Sequence, residues 1–374
     1  MQYYMPVRLY EETNCVQNHT ADICAAGTHA LIVTGRHSAR ANGSLADVTA
    51  ALENGGISWS IFDRVEENPS IETVMKGRDA GLAEHADFVI GIGGGSPLDA
   101  AKAIALMMAH PQESADFLYD AGKAKEIERR KVCGETGRLP LILVPTTCGT
   151  GSEVTGVSVL TVHAKKSKSS IPFKIFADIA LIDGKYLAAA PASVIRNTAV
   201  DALGHLLESY YNADTTSYSR MCAVSGLQTW GRIRSALLEL DHRELTAEEQ
   251  TLLMRASAMA GMAIAQTGTA LPHALSYGLT YDLQLPHGIA VGYYEADYLR
   301  ALPKEDQLTA LQLAGFSSIE EWEDFFCIVC GDIRIPEDEL QHTYEMVAKN
   351  PAKLAKAPFT CDEETLLGVA GLKK

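Results

Sequence analysis

Residues 88–102 read F-V-I-G-I-G-G-G-S-P-L-D-A-A-K, and the change of texture inside them decides the fold. Residues 88–92 form a short apolar run, the pattern of a strand buried on both faces. It ends in Gly93-Gly94-Gly95-Ser96-Pro97. Glycines there allow positive φ and let a phosphate approach the backbone without meeting a Cβ. Ser96 is placed to cap the next helix, Pro97 to open it, and Asp99 stands three after Ser96, where a capping box has Glu or Gln. That helix, running through residue 109, would aim free N–H groups and a positive dipole end at a pyrophosphate. The glycine run is not the G-x-G-x-x-G fingerprint, so it carries weight only together with other motifs.

Outward from this stretch the same alternation repeats. Residues 30–33 read as a strand ending in Thr34-Gly35-Arg36-His37-Ser38; 44–52 as a helix, 59–65 as a strand, 71–83 as a helix and 141–144 as a strand. Such alternation predicts a parallel sheet covered on both faces, with ligands at the carboxyl ends of its strands. Residues 157–162 and 179–182 are expected to complete it as antiparallel or edge strands. After Pro191 strand signals cease, and amphipathic segments follow at 193–211, 221–240, 246–265, 305–314, 319–329 and 337–349. The expected fold is therefore α/β plus all-α: a Rossmann-like dinucleotide-binding domain over residues 1–190 and a helical bundle over 191–374. A catalytic cleft is expected between the two.

A net charge of −15 argues against nucleic acid or an anionic membrane as partner, since both need a basic face. No window approaches the roughly 18 apolar residues of a membrane span, and the first ten residues lack a signal-like apolar run, so a cytoplasmic protein is expected. The eight cysteines are scattered, as suits a reducing compartment, and Cys327-x-x-Cys330 sits in an apolar run that reads as packed helix.

The chemistry centres on Asp201-Ala-Leu-Gly-His205. Residues four apart stack on one helix face, so the carboxylate and the imidazole point the same way. His273 and His287 follow, each opened by Leu-Pro. One carboxylate and three imidazoles suit a divalent metal such as Fe(2+) or Zn(2+), with a position left for substrate. The histidines must be neutral to ligate, so activity is expected to fall below the ordinary imidazole pKa near ~6.5. The second glycine-rich stretch, Pro145-Thr146-Thr147-Cys148-Gly149-Thr150-Gly151-Ser152-Glu153, offers hydroxyls and backbone to phosphate, ribose and carboxamide groups.

Together D-A-L-G-H-L-L-E-S-Y, H-A-L-S-Y-G-L-T and P-H-G-I-A, with the two glycine-rich stretches in the same order, resemble the iron-containing alcohol dehydrogenases. The resemblance spans about residues 29–300 and implies that family's architecture, shared with the dehydroquinate synthases. It implies Asp201, His205, His273 and His287 as metal ligands. Gly93, Gly94, Gly95, Ser96, Asp99, Thr146, Thr147, Thr150 and Ser152 become cofactor contacts, with Asn68 and, in the basic 165–168 loop, Lys168. It implies a homodimer through the N-terminal segment Tyr3 to Tyr10, and an alcohol or aldehyde as substrate. Where the family commonly has a histidine four after the third ligand, this chain has Tyr277, so His273 and Tyr277 are the expected catalytic pair, Tyr277 passing a proton or lining the pocket. Two alternatives use the same fold, a dehydroquinate-synthase-like lyase and a glycerol-dehydrogenase-like polyol dehydrogenase. The lyase needs a basic cluster, whereas Leu271, Ala274, Leu275, Leu279, Leu283 and Leu285 suggest an apolar pocket. A site decayed into an assembly role is opposed by the presence of every expected ligand.

Where the family commonly places an acidic residue for the adenosine ribose, this chain has Gly35 followed by Arg36, His37 and Ser38. With no carboxylate to repel a 2′-phosphate and Arg36 to pair with it, NADP(H) is expected over NAD(H). Arg36→Ala should raise the Michaelis constant for NADPH and leave that for NADH unchanged; initial-rate kinetics with both cofactors checks this.

Overall fold

The computed structural model describes residues 3–131, 137–163 and 167–373. The chain forms two compact units. One holds Met5–Thr147 and Ser152–Ala190; the other holds the N-terminal residues up to Tyr4, Cys148–Gly151 and everything from Pro191 onward.

The first unit is built on β1 (Arg8–Glu11), β2 (His29–Thr34), β3 (Ser58–Phe62), β4 (Phe88–Gly93), β5 (Leu141–Pro145) and β8 (Ile179–Ile182), all parallel in the order β1-β8-β5-β4-β2-β3. Continuous apolar runs are explained by burial on both faces. Leu31, Val33, Val89, Leu141, Leu143 and Ala180 belong to one core. Their neighbours in sequence, Ala30, Ile32, Ile90, Ile142 and Leu181, belong to the opposite one. The helices α1 (Ser44–Asn54), α2 (Ile71–Ala83) and α3 (Gly95–Ala109) supply residues to these layers.

Two expectations are corrected. Ile179–Ile182 is neither antiparallel nor an edge; it lies between β1 and β5, and its four buried residues have the unbroken apolar texture of a parallel interior strand. Val159–Val162 (β6) leaves the main sheet and pairs antiparallel with β7 (Ser167–Ser170), so Lys168 sits in a strand rather than a loop. Lys165 and Lys166 of the basic run lie outside the described residues.

Register aligns the ends of the central strands. Thr34 pairs with Ile92 and Gly93 with Pro145, so the loops after β2, β4 and β5 leave one edge of the sheet side by side. Gly93 has φ +148, and a Cβ there would lie 2.6 Å from Pro97, so no other residue turns β4 into α3 in this way. The helix begins two residues earlier than expected, with Gly94 as its cap. Ser96 and Asp99 are freed for other partners. Ser96 Oγ accepts the backbone N–H of Asn68 (3.0 Å), and Asp99 accepts Ser152 Oγ–H (2.6 Å) and Val159 N–H (2.8 Å).

Beside Asp99, Lys102 is fully buried. Its ammonium reaches Ser152 Oγ (2.7 Å), the Val157 carbonyl (2.7 Å), Thr155 Oγ1 (3.3 Å) and Asp99 Oδ1 (3.4 Å), tying the two glycine-rich stretches together. Burial lowers its pKa, and Asp99 opposes that.

The second unit comprises α4 (Ala192–Tyr211), α5 (Ser217–Gly231), α6 (Ala247–Thr267), α7 (Leu271–Asp282), α8 (His287–Arg300), α9 (Ile319–Cys330), α10 (Glu337–Ala348) and shorter turns. The expected continuous helix over 221–240 is broken after Gly231, and a short helix resumes at Arg234. Cys327 and Cys330 lie on α9, both unpaired. No helix among the described residues is long and apolar enough to cross a membrane.

Lys102→Met should leave Asp99 without its cation and destabilise the first unit by about 3 kcal/mol, or roughly 10 °C in its melting. Calorimetry of the variant against the parent chain measures this.

Candidate metal centre and nucleotide loops

The face of α4 that carries Asp201 and His205 also carries Glu208, seven residues after the first and three after the second, so all three project together. His273 comes from the first turn of α7, and His287 is the first residue of α8. Asn197, one turn before Asp201, accepts the Ile289 backbone N–H on its side-chain oxygen (3.1 Å) and so pins the start of α8. Contact there is close: a Cβ on Gly288 would fall 1.9 Å from the Asn197 carbonyl.

These elements bring the four residues together. Asp201, His205 and His273 are buried and present ligand atoms all within 4.8 Å of one another. His273 Nε2 lies 3.4 Å from Asp201 Oδ1, and His287 Nε2 lies 3.9 Å from the same oxygen. The His205 and His273 rings stack at 4.2 Å between centroids. His287 is the more open, with a third of its side chain exposed, and the Tyr277 ring lies parallel to it at 5.9 Å.

Whether these groups fit a metal ion is answered by two atoms. Asp201 Oδ1 and His273 Nε2 are buried, face each other, and complete no well-directed hydrogen bond among the described residues. Two other ring nitrogens are engaged, His273 Nδ1 away from Asp201 and His205 Nδ1 at 4.0 Å from Asp201 Oδ2. His205 Nδ1 donates to the Gly149 carbonyl (3.3 Å), and His273 Nδ1 donates to Glu208 Oε1. A bare imidazole nitrogen facing a bare carboxylate oxygen, with two further imidazoles close by, suits a divalent first-row ion, and nitrogen with oxygen ligation suits iron or zinc.

Charge in the cluster is strongly organised. Burial alone would raise the Asp201 carboxyl, but His205, His287 and His273 around it hold it well below the usual carboxylate range. Burial pulls the His205 imidazole down to about 4, with Asp201 opposing and His273 adding to the shift. Burial would also lower His273, but Glu208 and Asp201 push it up to about 9. The ordinary value near 6.5 thus describes neither buried ring. Below them Glu295 of α8 is fully buried, and burial and the Glu208 carboxylate raise its carboxyl far above the usual range.

Glu208 is a further residue of this site, and its seven-residue spacing from Asp201, which places both on one helix face, is the sequence signal for it. A second correction concerns the leucines. Leu271, Leu275 and Leu279 are completely buried, Ala274 nearly so, and all join the helical core with Tyr294 and Tyr298; Leu283 and Leu285 pack on its margin. Spaced by four on α7, they face inward rather than line a pocket.

In the α/β unit the other expected residues gather at the aligned strand ends. Gly94 approaches Thr147 so closely that a Cβ would lie 2.9 Å from its Oγ1, and Thr146 N–H donates to the Gly93 carbonyl (2.9 Å). Asn68, with φ +57, accepts Lys168 Nζ on its side-chain oxygen (2.7 Å), so these two candidates contact each other. Burial lowers the Lys168 ammonium to about 8. Gly35 follows β2 directly, and Arg36, His37 and Ser38 after it are exposed; among the described residues Arg36 has no ion-pair partner, while Arg40 pairs with Asp63 at 3.2 Å. Thr150 lies in the Cys148–Gly151 segment, which belongs to the helical unit.

Residues 6–184 match the iron-containing alcohol dehydrogenase family, and residues 195–302 match that family's C-terminal domain. The chain belongs to the iron-containing alcohol dehydrogenases. An iron-containing alcohol dehydrogenase from Thermotoga maritima superposes with a TM-score of 0.86 at 32% identity, covering 98% of each chain. Long-chain-alcohol dehydrogenase 1 of Geobacillus thermodenitrificans is 29% identical over 352 residues, 88% of this chain and 86% of that one. The NADPH-dependent butanol dehydrogenase of Clostridium saccharobutylicum is 29% identical over 287 residues, 76% and 70% of the respective chains. As an iron-containing alcohol dehydrogenase the protein is an NAD(P)-dependent oxidoreductase acting on alcohols or aldehydes, which sets the lyase alternative aside.

Proposed function

We propose that this chain reduces an aldehyde to a primary alcohol, and runs the reverse oxidation, using NADP(H) in preference to NAD(H) and a divalent iron or zinc held by Asp201, His205, His273 and His287. The observation that carries the metal site is the pair of bare buried atoms, Asp201 Oδ1 and His273 Nε2, 3.4 Å apart with two further imidazoles around them. Such an ion, when bound, polarises the substrate oxygen, and the nicotinamide carries the hydride.

The chain's own residues do the rest. Asp201 supplies the one fixed negative charge among the ligands, and the buried rings of His205 and His273 close the inner side against water. His287 is the open side, so substrate oxygen approaches past it and past Tyr277, whose ring stacks on it. Tyr277 replaces an imidazole at this position, and its hydroxyl either exchanges the alcohol proton through water or shapes the entry. For the cofactor, the preference for NADP(H) rests on exposed Arg36 after Gly35, with no carboxylate at that strand end; a relative whose name records NADPH dependence supports the same choice. A homodimer through the segment Tyr3 to Tyr10 belongs to this reading too, since β1, which that segment enters, has a strand partner on one side only among the described residues.

The test is anaerobic oxidation of NADPH, and separately NADH, by metal-stripped protein refilled with Fe(II) or Zn(II), against short aldehydes. Turnover should require metal and favour NADPH, and Asp201→Ala should lower it at least about 100-fold. Equal rates with and without metal would remove the metal role; equal efficiency with the two cofactors would remove the Arg36 argument alone.

A further inference from the structure

Four ligands do not by themselves explain why the inner nitrogen of His273 is the bare one. We propose that Glu208 is the positioning residue of the centre: its carboxylate binds the start of α7 and the Nδ1 proton of His273 together, leaving Nε2 turned toward Asp201. This rests on the metal reading above and names the residue that prepares it.

The geometry is specific. Glu208 is completely buried. One carboxylate oxygen accepts the Ala270 backbone N–H, while the other accepts the His273 backbone N–H (3.2 Å) and His273 Nδ1–H. The helix α7 begins after Ala270, whose side chain has nothing to cap with, so Glu208 of α4 caps it from outside. Free N–H groups and the positive end of α7 make that a favourable place for a carboxylate. The same acid therefore fixes the backbone that carries His273, the plane of its ring and the nitrogen that holds the proton.

A capping role alone would need only the two backbone bonds. The third bond, to Nδ1, makes Glu208 more than a cap. An imidazole whose outer N–H meets a carboxylate is held in one tautomer and is a more basic ligand through its inner nitrogen. His205 is served in the same position by the Gly149 carbonyl, a neutral and so weaker acceptor at 3.3 Å. The centre thus has one strongly and one weakly supported ring, and removing Glu208 acts on the stronger. Behind it, among the described residues, stand Glu295, without a well-directed hydrogen bond of its own, the fully buried Tyr298, and the half-buried Lys353, whose ammonium is bound to Thr269 Oγ1 at 3.0 Å.

The experiment compares the parent chain with Glu208→Gln and Glu208→Ala in three measurements: Co(II) affinity by competition with a chelator, the visible spectrum of the Co(II) form, and melting of the metal-free protein. Glu208→Gln keeps the size of the side chain but loses its charge, and Glu208→Ala removes every contact. Co(II) affinity should fall about 10-fold in the first and about 100-fold in the second, with displaced Co(II) bands in the glutamine variant. A Glu208→Gln chain that binds Co(II) within twofold of the parent, with unchanged bands and only a lower melting temperature, makes Glu208 a helix cap and overturns the proposal. If the parent chain binds no Co(II), the metal reading falls and takes this role with it, a result separate from a parent that binds and variants that do not differ. Should neither variant fold, 15N-histidine spectra of the Zn(II)-loaded parent decide: a slowly exchanging Nδ1–H on His273 supports the role, and metal on Nδ1 overturns it.

Discussion

A carboxylate taken out of water must be given something in water's place, and Asp201 imposes that demand on the whole helical unit. Stripped of partners, a buried ion of this kind costs several kcal/mol. Three imidazoles meet the demand, and they can do so only because the start of α7 and the start of α8 both end up against the middle of α4. Helix starts are otherwise short of hydrogen-bond acceptors. Here each finds one on α4, Glu208 for α7 and Asn197 for α8. One helix therefore contributes two of the acid and imidazole groups and both of the clamps that bring in the remaining two.

The stacked rings of His205 and His273 show how proximity sorts charge. Two imidazolium ions 4.2 Å apart in a dry setting would repel strongly, so the pair divides: one ring is driven toward neutrality by burial, and the other is drawn toward protonation by two carboxylates. The two buried acids differ as well: Glu208 meets the N–H donors that open α7, while burial and Glu208 itself raise the Glu295 carboxyl far above the usual range. Each difference follows from the partners within reach, not from residue type.

Much of this could be read from the chain. The all-buried strands were legible because a parallel sheet leaves neither face wet, and Leu141–Pro145 and Phe88–Gly93 stand out as unbroken apolar runs. The Asp201–His205 clip was legible because four-residue spacing on a helix is local. What failed was non-local. Ile179–Ile182 is too short to announce its neighbours, and its interior position depends on β1, which pairs with it from the far end of the unit. Asp99 looked like a cap because capping is judged within three residues, whereas its partners Ser152 and Val159 lie more than fifty residues away. The leucines after His273 looked like a pocket because proximity in sequence to a ligand was taken for proximity in space; a helix turns them to its other side.

The segment Cys148–Gly151 gives the molecule an unusual seam. It sits in the middle of a stretch that otherwise belongs to the α/β unit, yet it is part of the helical one, where Gly151 passes so near Gly261 that a Cβ would lie 2.5 Å from its Cα. The Gly149 carbonyl within it holds Nδ1 of His205. A gene fragment beginning at Pro191 would encode every candidate ligand and still produce a centre with one ring unanchored. The two halves of this protein are accordingly not interchangeable modules: exchanging the α/β portion with that of a relative replaces, along with the nucleotide loops, a piece of the metal centre's own scaffold.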